Sequence, residues 1–170
     1  QSYCGDRGKG VSYHFITEAS SMEVKKILCA VDLEDTIAPS VEYAKMMASM
    51  TGASILVAYV IPAHTPYEDV YLSVNNQPNE VNNPNETIQK SMNALLAEQF
   101  AGMDATGVIL VGRPSEELVK LAEEKGANLI VMGTHGRAGF DRLLFGSVAH
   151  EVVRAAPCPV MTVRPLMPKK

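Results

Sequence analysis

The sequence predicts an α/β fold in one domain: a single open, parallel sheet of five strands with helices on both faces. Two observations lead to this fold class. Segments with the character of strands alternate strictly with segments of helical periodicity, in the order β-α-β-α-β-α-β-α-β. The strand segments are nearly continuous apolar runs, which is typical of parallel strands that are covered on both faces.

The five predicted strands are short apolar runs bounded by polar or turn-forming residues. Asp32 directly follows the first strand, and Pro62 ends the second. Ligands of such sheets bind beyond the carboxyl ends of the strands, so the residues that follow each strand are the first candidates for a site. The predicted strands are residues 24–31, 53–61, 106–111, 128–132 and 160–163.

The four predicted helices lie between these strands. In the first, Ile37, Val41, Ala44 and Ala48 repeat at intervals of four, three and four residues, as on one face of a helix. A glycine or proline is expected to end each helix. These stops are Gly52, Gly102, Gly126 and Pro157.

Length and composition indicate a globular chain with one core. The chain has 170 residues, of which 46% are hydrophobic and 20% are charged. A net charge of −4 argues against a broad nucleic-acid-binding surface, which needs a basic balance. No apolar run approaches the roughly 20 residues of a membrane span. We therefore expect neither a nucleic-acid partner nor a membrane partner.

Three segments are expected to lie outside the core. Residues 1–21 lack periodicity and the apolar stretch of a secretory signal, which predicts an added or disordered leader. The domain then spans residues 22–165, followed by a tail of residues 166–170. Residues 62–85 are rich in Asn, Pro, Glu and Tyr without a clear period, which predicts a long surface loop.

The cysteines predict free thiols. Cys4, Cys29 and Cys158 are odd in number and widely spaced, with no CxxC pair. Buried free thiols fit a reducing cytoplasm, which is the expected location. No metal-ligand spacing links the histidines with one another or with the cysteines, so we expect no protein-bound metal site.

Residues 131–148 carry the strongest functional signal. A strand-like run passes through three glycines, among them Gly133 and Gly136, and reaches Gly146-Ser147 directly before a helical pattern. Glycines let the backbone approach a ligand closely, and the free N–H groups of a helix start attract anions. The segment therefore predicts a phosphate site. Ordinary turn glycines are the alternative. Ser147 also suits a helix N-cap, which is compatible with phosphate binding.

The glycine spacing has a counterpart in a known family. Gly133 and Gly136 are separated by two residues, Gly136 and Gly146 by nine, and Ser147 follows. This G-x2-G-x9-G-S pattern, with the strand before it and the Ala-Pro-Cys-Pro-Val run after it, resembles the nucleotide-binding signature of the universal stress protein family. The resemblance covers residues 22–165. It implies a Rossmann-like sheet, similar to that of the adenine nucleotide alpha hydrolases, with strand order 3-2-1-4-5.

The resemblance implies that ATP is held at this loop and that four residues contact its adenosine part. Asp32 would accept hydrogen bonds from the ribose or the adenine. Val60, at the end of the second strand, would line the adenine pocket, while Met132 and Gly133 would pack near the ribose. An acidic acceptor also suits a ribose diol on chemical grounds.

The phosphate side is implied in the same way. Gly136 would allow close backbone approach, and Gly146, Ser147 and Val148 would present N–H groups, with Ser147 adding its hydroxyl. Arg137 flanks the loop and could neutralise phosphate charge, although a solvated surface arginine is an equal alternative. A Mg²⁺ or Mn²⁺ ion would be bound mainly through the phosphates.

The sequence favours nucleotide binding over catalysis. The P-loop and the dinucleotide fingerprint are both missing. Hydrolysis needs a group that orients the attacking water, and nothing fixes Glu34 or Asp35 on a γ-phosphate, so we assign no catalytic residue. We expect an ATP-binding regulatory or stress-response factor. A slow or partner-assisted ATPase and a nucleotide-free dimeric interaction protein are the alternatives.

The last strand predicts how the chain associates. Residues 160–163 are short and expected at a sheet edge, and an unpaired edge invites pairing with another chain. The family typically dimerises through this strand, so the resemblance implies a homodimer. Met46, Met47 and Met50 in the first helix are expected to fill the core rather than to form a partner surface.

Overall fold

The computed structural model of the chain describes residues 23–33, 39–62, 84–134 and 146–164. Within these ranges, strands and helices alternate as predicted. The strands are β1 (Lys26–Ala30), β2 (Ser54–Pro62), β3 (Ala105–Gly112), β4 (Leu129–Gly133) and β5 (Val160–Val163). The helices are α1 (Pro39–Thr51), α2 (Pro84–Gln99), α3 (Pro114–Lys125) and α4 (Ser147–Ala155). The predicted leader, most of the predicted 62–85 loop and the predicted tail lie outside the described residues.

The strands form one open parallel sheet in the described part of the chain. Their order is β3-β2-β1-β4-β5, so the predicted order is confirmed. Each neighbouring pair is parallel. β1 is central and pairs with β2 on one side and with β4 on the other. The strand order therefore reverses at β1, which is where a crevice opens beyond the carboxyl ends of such a sheet.

Helices cover both faces of the sheet and divide the core into two clusters. One cluster packs α1 and α2 against the sheet and contains the fully buried Ile27 and Met92. The other packs α3 and α4 and contains the fully buried Leu28 and Val152. Successive residues of a strand point to opposite faces. Ile27 and Leu28 thus pack into different core clusters, which is why β1 is apolar along its length.

The described cysteines are free, as predicted. Cys29 is fully buried in β1, and this burial raises the pKa of its thiol to about 12. Cys158 is partly buried, and burial raises the pKa of its thiol as well. Neither thiol ionises readily near neutral pH.

A glycine sets the separation between α2 and β3. A Cβ atom added to Gly107 would lie 2.7 Å from Met92 Cγ and 3.0 Å from Leu96 Cδ1. Met92 is fully buried and is surrounded by other core side chains. The absence of a side chain at Gly107 therefore lets the helix pack close to the strand.

Glycines with positive φ end two helices where the sequence predicts stops. Gly126 has φ 63° and ψ 45°, and its N–H donates to the carbonyl oxygens of Ala122 and Glu123 at the end of α3. Gly52 has φ 74°, and its N–H donates to the carbonyl oxygen of Ala48 at 2.8 Å. This left-handed conformation is costly for residues that carry a Cβ atom.

The expectation that the α1 methionines fill the core is wrong for two of the three. Met46 and Met50 are 46% and 75% exposed. They follow the buried Ala44 and Ala48 by two residues, or about 200° around the helix, and so lie on the opposite side. Met47 packs partly against the core.

Asn128 fixes the amino end of β1 against β4. Its Oδ1 accepts hydrogen bonds from the backbone N–H groups of Lys25 and Lys26, both at 2.9 Å. Lys26 Nζ in turn donates to the carbonyl oxygen of Lys125 at 2.8 Å. These bonds lie at the amino edge of the sheet and help to set the β1–β4 register.

Candidate functional site

Asp32 and Val60 are neighbours at the carboxyl edge of the sheet. β1 pairs with β2 in the register Ala30↔Ala58. The N–H of Val31 donates to the carbonyl oxygen of Ala58 at 2.9 Å, so the pairing continues past the end of β1. Two positions further along, this register brings Asp32 opposite Val60, at an interstrand spacing of about 5 Å. Asp32 is partly buried and Val60 is 8% exposed.

Thr134 lies on the other side of Asp32. The β1–β4 pairing ends at Cys29↔Val131, and extending this register by three positions aligns Asp32 with Thr134. Thr134 directly follows β4 and is 3% exposed. Val60, Asp32 and Thr134 thus form a row across three neighbouring strand ends, where the strand order reverses.

The predicted adenosine-side residues meet at this edge. Val60 and Met132 both belong to the core cluster beneath α3 and α4, so their side chains point to the same face of the sheet. Gly133 is the partly buried last residue of β4. Val60 and Met132 are 8% and 4% exposed, and the partly buried Asp32 lies beside them at the end of the central strand.

Thr134 also fixes the base of the glycine-containing loop. Its N–H donates to the carbonyl oxygen of Val163 at 2.9 Å, and its own carbonyl oxygen accepts a hydrogen bond from the N–H of Gly146 at 2.7 Å. These bonds hold the start of α4 against the ends of β4 and β5. They also correct the expected set of phosphate donors, because the N–H of Gly146 is engaged by Thr134.

The start of α4 offers other backbone donors. Gly146 is the N-cap, with φ −67° and ψ 160°, and its carbonyl oxygen accepts the N–H of His150 at 3.0 Å. The expectation that Ser147 is the N-cap is therefore wrong: Ser147 is the first helical residue. The N–H groups of Ser147 and Val148 have no carbonyl acceptor within the helix. An anion at this helix start would be favoured by those groups and by the helix dipole.

A polar bridge joins α4 to the start of α3. The hydroxyl of Ser115, which is 5% exposed, donates to Glu151 Oε2. Arg113 Nη2 lies 3.7 Å from the same oxygen, and Arg113 Nη1 contacts Glu116 Oε1 at 2.7 Å. Glu151 lies one turn after Ser147 in α4. We call Arg113, Ser115 and Glu151 the α3–α4 bridge.

The structure thus brings together most of the predicted site and adds to it. Asp32, Val60, Met132, Gly133, Gly146, Ser147 and Val148 lie at the carboxyl edge, whereas Gly136 and Arg137 lie outside the described residues.

Four residues were not singled out by sequence reasoning: Thr134, Arg113, Ser115 and Glu151. Thr134 lies inside the glycine motif, so the motif itself could have indicated it. Ser115 and Glu151 are 36 residues apart, and no sequence pattern connects them.

Two kinds of feature are absent from the part of the chain that the structure describes. The described residues contain no group of three or more His, Cys, Asp or Glu side chains placed to hold a metal ion. Within the same ranges, no helix has both the length and the apolar character needed to cross a membrane.

Comparison with known sequences gives a family match. Residues 23–164 match the sequence profile of the universal stress protein family. Universal stress protein MJ0531 of Methanocaldococcus jannaschii is 33% identical over 150 residues, which cover 86% of this chain and 84% of that protein.

Two solved structures extend the comparison to the fold. MJ0577 of Methanocaldococcus jannaschii has a TM-score of 0.72 at 26% identity, covering 86% of this chain and 99% of that chain. The universal stress protein from Archaeoglobus fulgidus in complex with dAMP has a TM-score of 0.55 at 25% identity, covering 82% and 98%.

Proposed function

Because the chain belongs to the universal stress protein family, we propose that it binds an adenine nucleotide, with ATP as the main ligand, at the carboxyl edge of its sheet. The observation that carries the proposal is the row of Val60, Asp32 and Thr134 beside the start of α4. The related Archaeoglobus fulgidus protein was solved in complex with dAMP, which supports an adenine nucleotide as the ligand class.

Each end of the nucleotide has suitable partners in this proposal. The carboxylate of Asp32 accepts hydrogen bonds from ribose hydroxyls, and the adenine ring packs on the apolar face formed by Val60 and Met132. The phosphates lie at the start of α4 and accept hydrogen bonds from the N–H groups of Ser147 and Val148. Gly136 and Arg137 are proposed to complete the phosphate site, with Mg²⁺ or Mn²⁺ bound through the phosphate oxygens.

We propose a regulatory role rather than efficient hydrolysis. A hydrolase needs a group that orients the attacking water. Glu151, one turn into α4, accepts a hydrogen bond from Ser115 and faces Arg113, so this carboxylate is already engaged. Bound ATP would then stabilise one conformation or oligomer of a cytoplasmic stress-response factor. The free Cys29 and Cys158 are consistent with a reducing compartment.

The first experiment identifies the ligand. The full chain is purified without added nucleotide and denatured, and the supernatant is analysed for ATP, ADP and AMP. Nucleotide-free protein is then melted with ATP, ADP, AMP or GTP. At a ligand concentration of 100 Kd, ATP should stabilise the fold by about 2.7 kcal/mol, which is roughly 5–10 °C in Tm. The absence of any shift with ATP, ADP and AMP would refute the proposal.

A pair of variants locates the site. Asp32→Ala should weaken ATP binding about 10- to 150-fold, since hydrogen bonds to a charged group contribute about 1.5–3 kcal/mol. The matched control is Asp104→Ala, because Asp104 is an exposed carboxylate that directly precedes β3, at the amino edge of the sheet. Equal losses in both variants would reject the assignment of Asp32. Phosphate release measured on the same samples separates a binding protein from an ATPase.

We also propose that the chain forms a homodimer through β5. In the described chain, β5 lies at the edge of the sheet, as predicted. The carbonyl oxygens of Pro159 and Val163 accept hydrogen bonds from the β4 side. Because backbone groups of successive residues in a strand point to alternate sides, the N–H of Thr162 points away from β4. That outer edge is free to pair with a second copy of the chain.

The dimer proposal is tested by removing one edge donor. Thr162→Pro eliminates the outward N–H without touching the bonds to β4, and edge strands tolerate proline. Thr162→Val keeps the N–H and is the control. We expect a dimer for the wild type and Thr162→Val, and a monomer with an unchanged circular dichroism spectrum for Thr162→Pro, by light scattering. A stable Thr162→Pro dimer would contradict pairing through this edge.

A further inference from the structure

The α3–α4 bridge lies beside the proposed phosphate site. α3 begins directly after β3 and α4 begins near the end of β4, so both helices start at the carboxyl edge of the sheet, and they pack on the same face. Ser115 is the second residue of α3 and Glu151 is the fifth residue of α4. The bridge therefore connects the first turn of α3 with the second turn of α4, near the helix ends that lie at the carboxyl edge of the sheet.

The position of Glu151 raises an electrostatic question. Glu151 and Ser147 are four residues apart and lie on one face of α4. Helical side chains lean towards the amino end of their helix, so the Glu151 carboxylate extends towards the first turn. An unbalanced carboxylate at this place would repel a phosphate bound to the N–H groups of Ser147 and Val148.

The bridge balances that charge. Ser115 donates its hydroxyl to Glu151 Oε2, and the Arg113 guanidinium lies 3.7 Å from the same oxygen. The hydroxyl of the buried Ser115 is the donor in this pair, because a carboxylate can only accept. The other side of Arg113 is held by Glu116 at 2.7 Å. The guanidinium is thus positioned between two carboxylates at the start of α3.

We propose that Arg113 and Ser115 are positioning residues that make this nucleotide site selective for phosphorylated adenosine over adenosine. Ser115 fixes the Glu151 side chain, and Arg113 supplies the countercharge that lets the first turn of α4 accept a phosphate group. The inference rests on the proposed nucleotide site and explains why that site prefers a charged ligand.

The experiment compares ATP with adenosine by calorimetry on the full chain. Arg113→Gln should weaken ATP binding about three- to fivefold, a modest factor because the charges are partly exposed, and leave adenosine binding unchanged. Arg113→Gln/Glu151→Gln should recover most of the ATP affinity, because the glutamine oxygen still accepts the Ser115 hydrogen bond without the negative charge. Arg154→Gln, in the last turn of α4, is the matched control and should bind both ligands as the wild type does.

A second variant tests Ser115 without changing any charge. Ser115→Ala removes the hydroxyl that fixes Glu151 and should lower ATP affinity about two- to threefold, with adenosine affinity unchanged. A purely structural role would lower the affinities for ATP and adenosine by the same factor, since a distorted crevice affects the shared adenosine half.

The outcomes separate this inference from the proposed function. If the wild type binds ATP but Arg113→Gln binds ATP equally well, the inference is overturned and the nucleotide site stands. Equal losses for ATP and adenosine in Arg113→Gln also overturn it, as does a loss in Arg154→Gln that matches Arg113→Gln. If the wild type binds neither ligand, the proposed function fails and the inference fails with it.

Discussion

Gly107→Ala is the sharpest test of the packing between α2 and β3. The added methyl group would lie 2.7 Å from Met92 Cγ and 2.9 Å from Met92 Sδ. Favourable contacts between carbon atoms are about 3.5–4.0 Å, so Met92 or the whole helix must move by about 1 Å. Met92 is fully buried, and Leu96 Cδ1 stands 3.0 Å from the same methyl position, so the space is already occupied.

The expected loss of stability follows from this geometry. Overpacking of a filled core costs about 1–3 kcal/mol. Replacing glycine also stiffens the unfolded chain, which offsets about 0.4–1 kcal/mol. With the middle of each range, the net destabilisation of Gly107→Ala is about 1.3 kcal/mol, or roughly 3–5 °C in Tm for a chain of this size.

A double-mutant cycle identifies the cause of the loss. Met92→Ala alone leaves a cavity and should cost about 2–5 kcal/mol. In Gly107→Ala/Met92→Ala the new methyl group occupies part of that cavity, so the double variant should be more stable than the sum of the single effects by about 1–2 kcal/mol. Urea denaturation followed by circular dichroism measures all four proteins. Additive effects, or a Gly107→Ala variant as stable as the wild type, would refute the close approach of α2 to β3.

Two further predictions concern the amino edge and the thiols. Asn128→Ala removes the acceptor of two backbone N–H groups and should lower the free energy of unfolding, measured in urea, by about 1–2 kcal/mol. The control, Asn93→Ala on the exposed side of α2, should change that free energy little. Equal losses in the two variants would contradict the role of Asn128. Iodoacetamide at a pH of about 8 should label Cys158 well before the buried Cys29, by peptide mapping, because reaction requires the thiolate. The unfolded chain releases the Cys29 proton near its ordinary pKa of 9.0, but the folded protein retains it to about 12. Stability should therefore fall as the pH rises between these values, by up to about 1.4 kcal/mol per pH unit, and Cys29→Ala should reduce that slope.

The strands and helices could be predicted from sequence because the apolar patterns and turn residues that indicate them lie within each segment. The predicted strand at 106–111 corresponds to Ala105–Gly112, and the predicted stop at Gly126 is the left-handed residue that ends α3. Met46 and Met50 show the limit of predicting burial from residue type alone. Their hydrophobic character suggested the core, but their angular position on α1 places them on the outer side.

Sequence predicted only the part of the site whose residues lie in one continuous segment, the glycine motif. The glycine motif indicated a helix start at Gly146-Ser147, and the structure has α4 beginning there. The motif did not reveal that the Gly146 N–H is bound by Thr134, because that bond depends on how the loop ends meet. Ser115 and Glu151 come together only through the packing of α3 on α4, which no local pattern encodes.

The hydrogen bond from Gly146 to Thr134 separates the chain between them from the helix that follows. Thr134 and Gly146, which flank residues 135–145 in the sequence, are joined at 2.7 Å, so the start of α4 is tied directly to the end of β4. Doubling the length of such a connection costs only about 0.6 kcal/mol of closure entropy. Because Thr134 and Gly146 make this bond themselves, we expect it to survive a change in the length of the segment between them. Segments of other lengths and charges could be grafted between Thr134 and Gly146 to change ligand preference while the sheet and the helix start are retained.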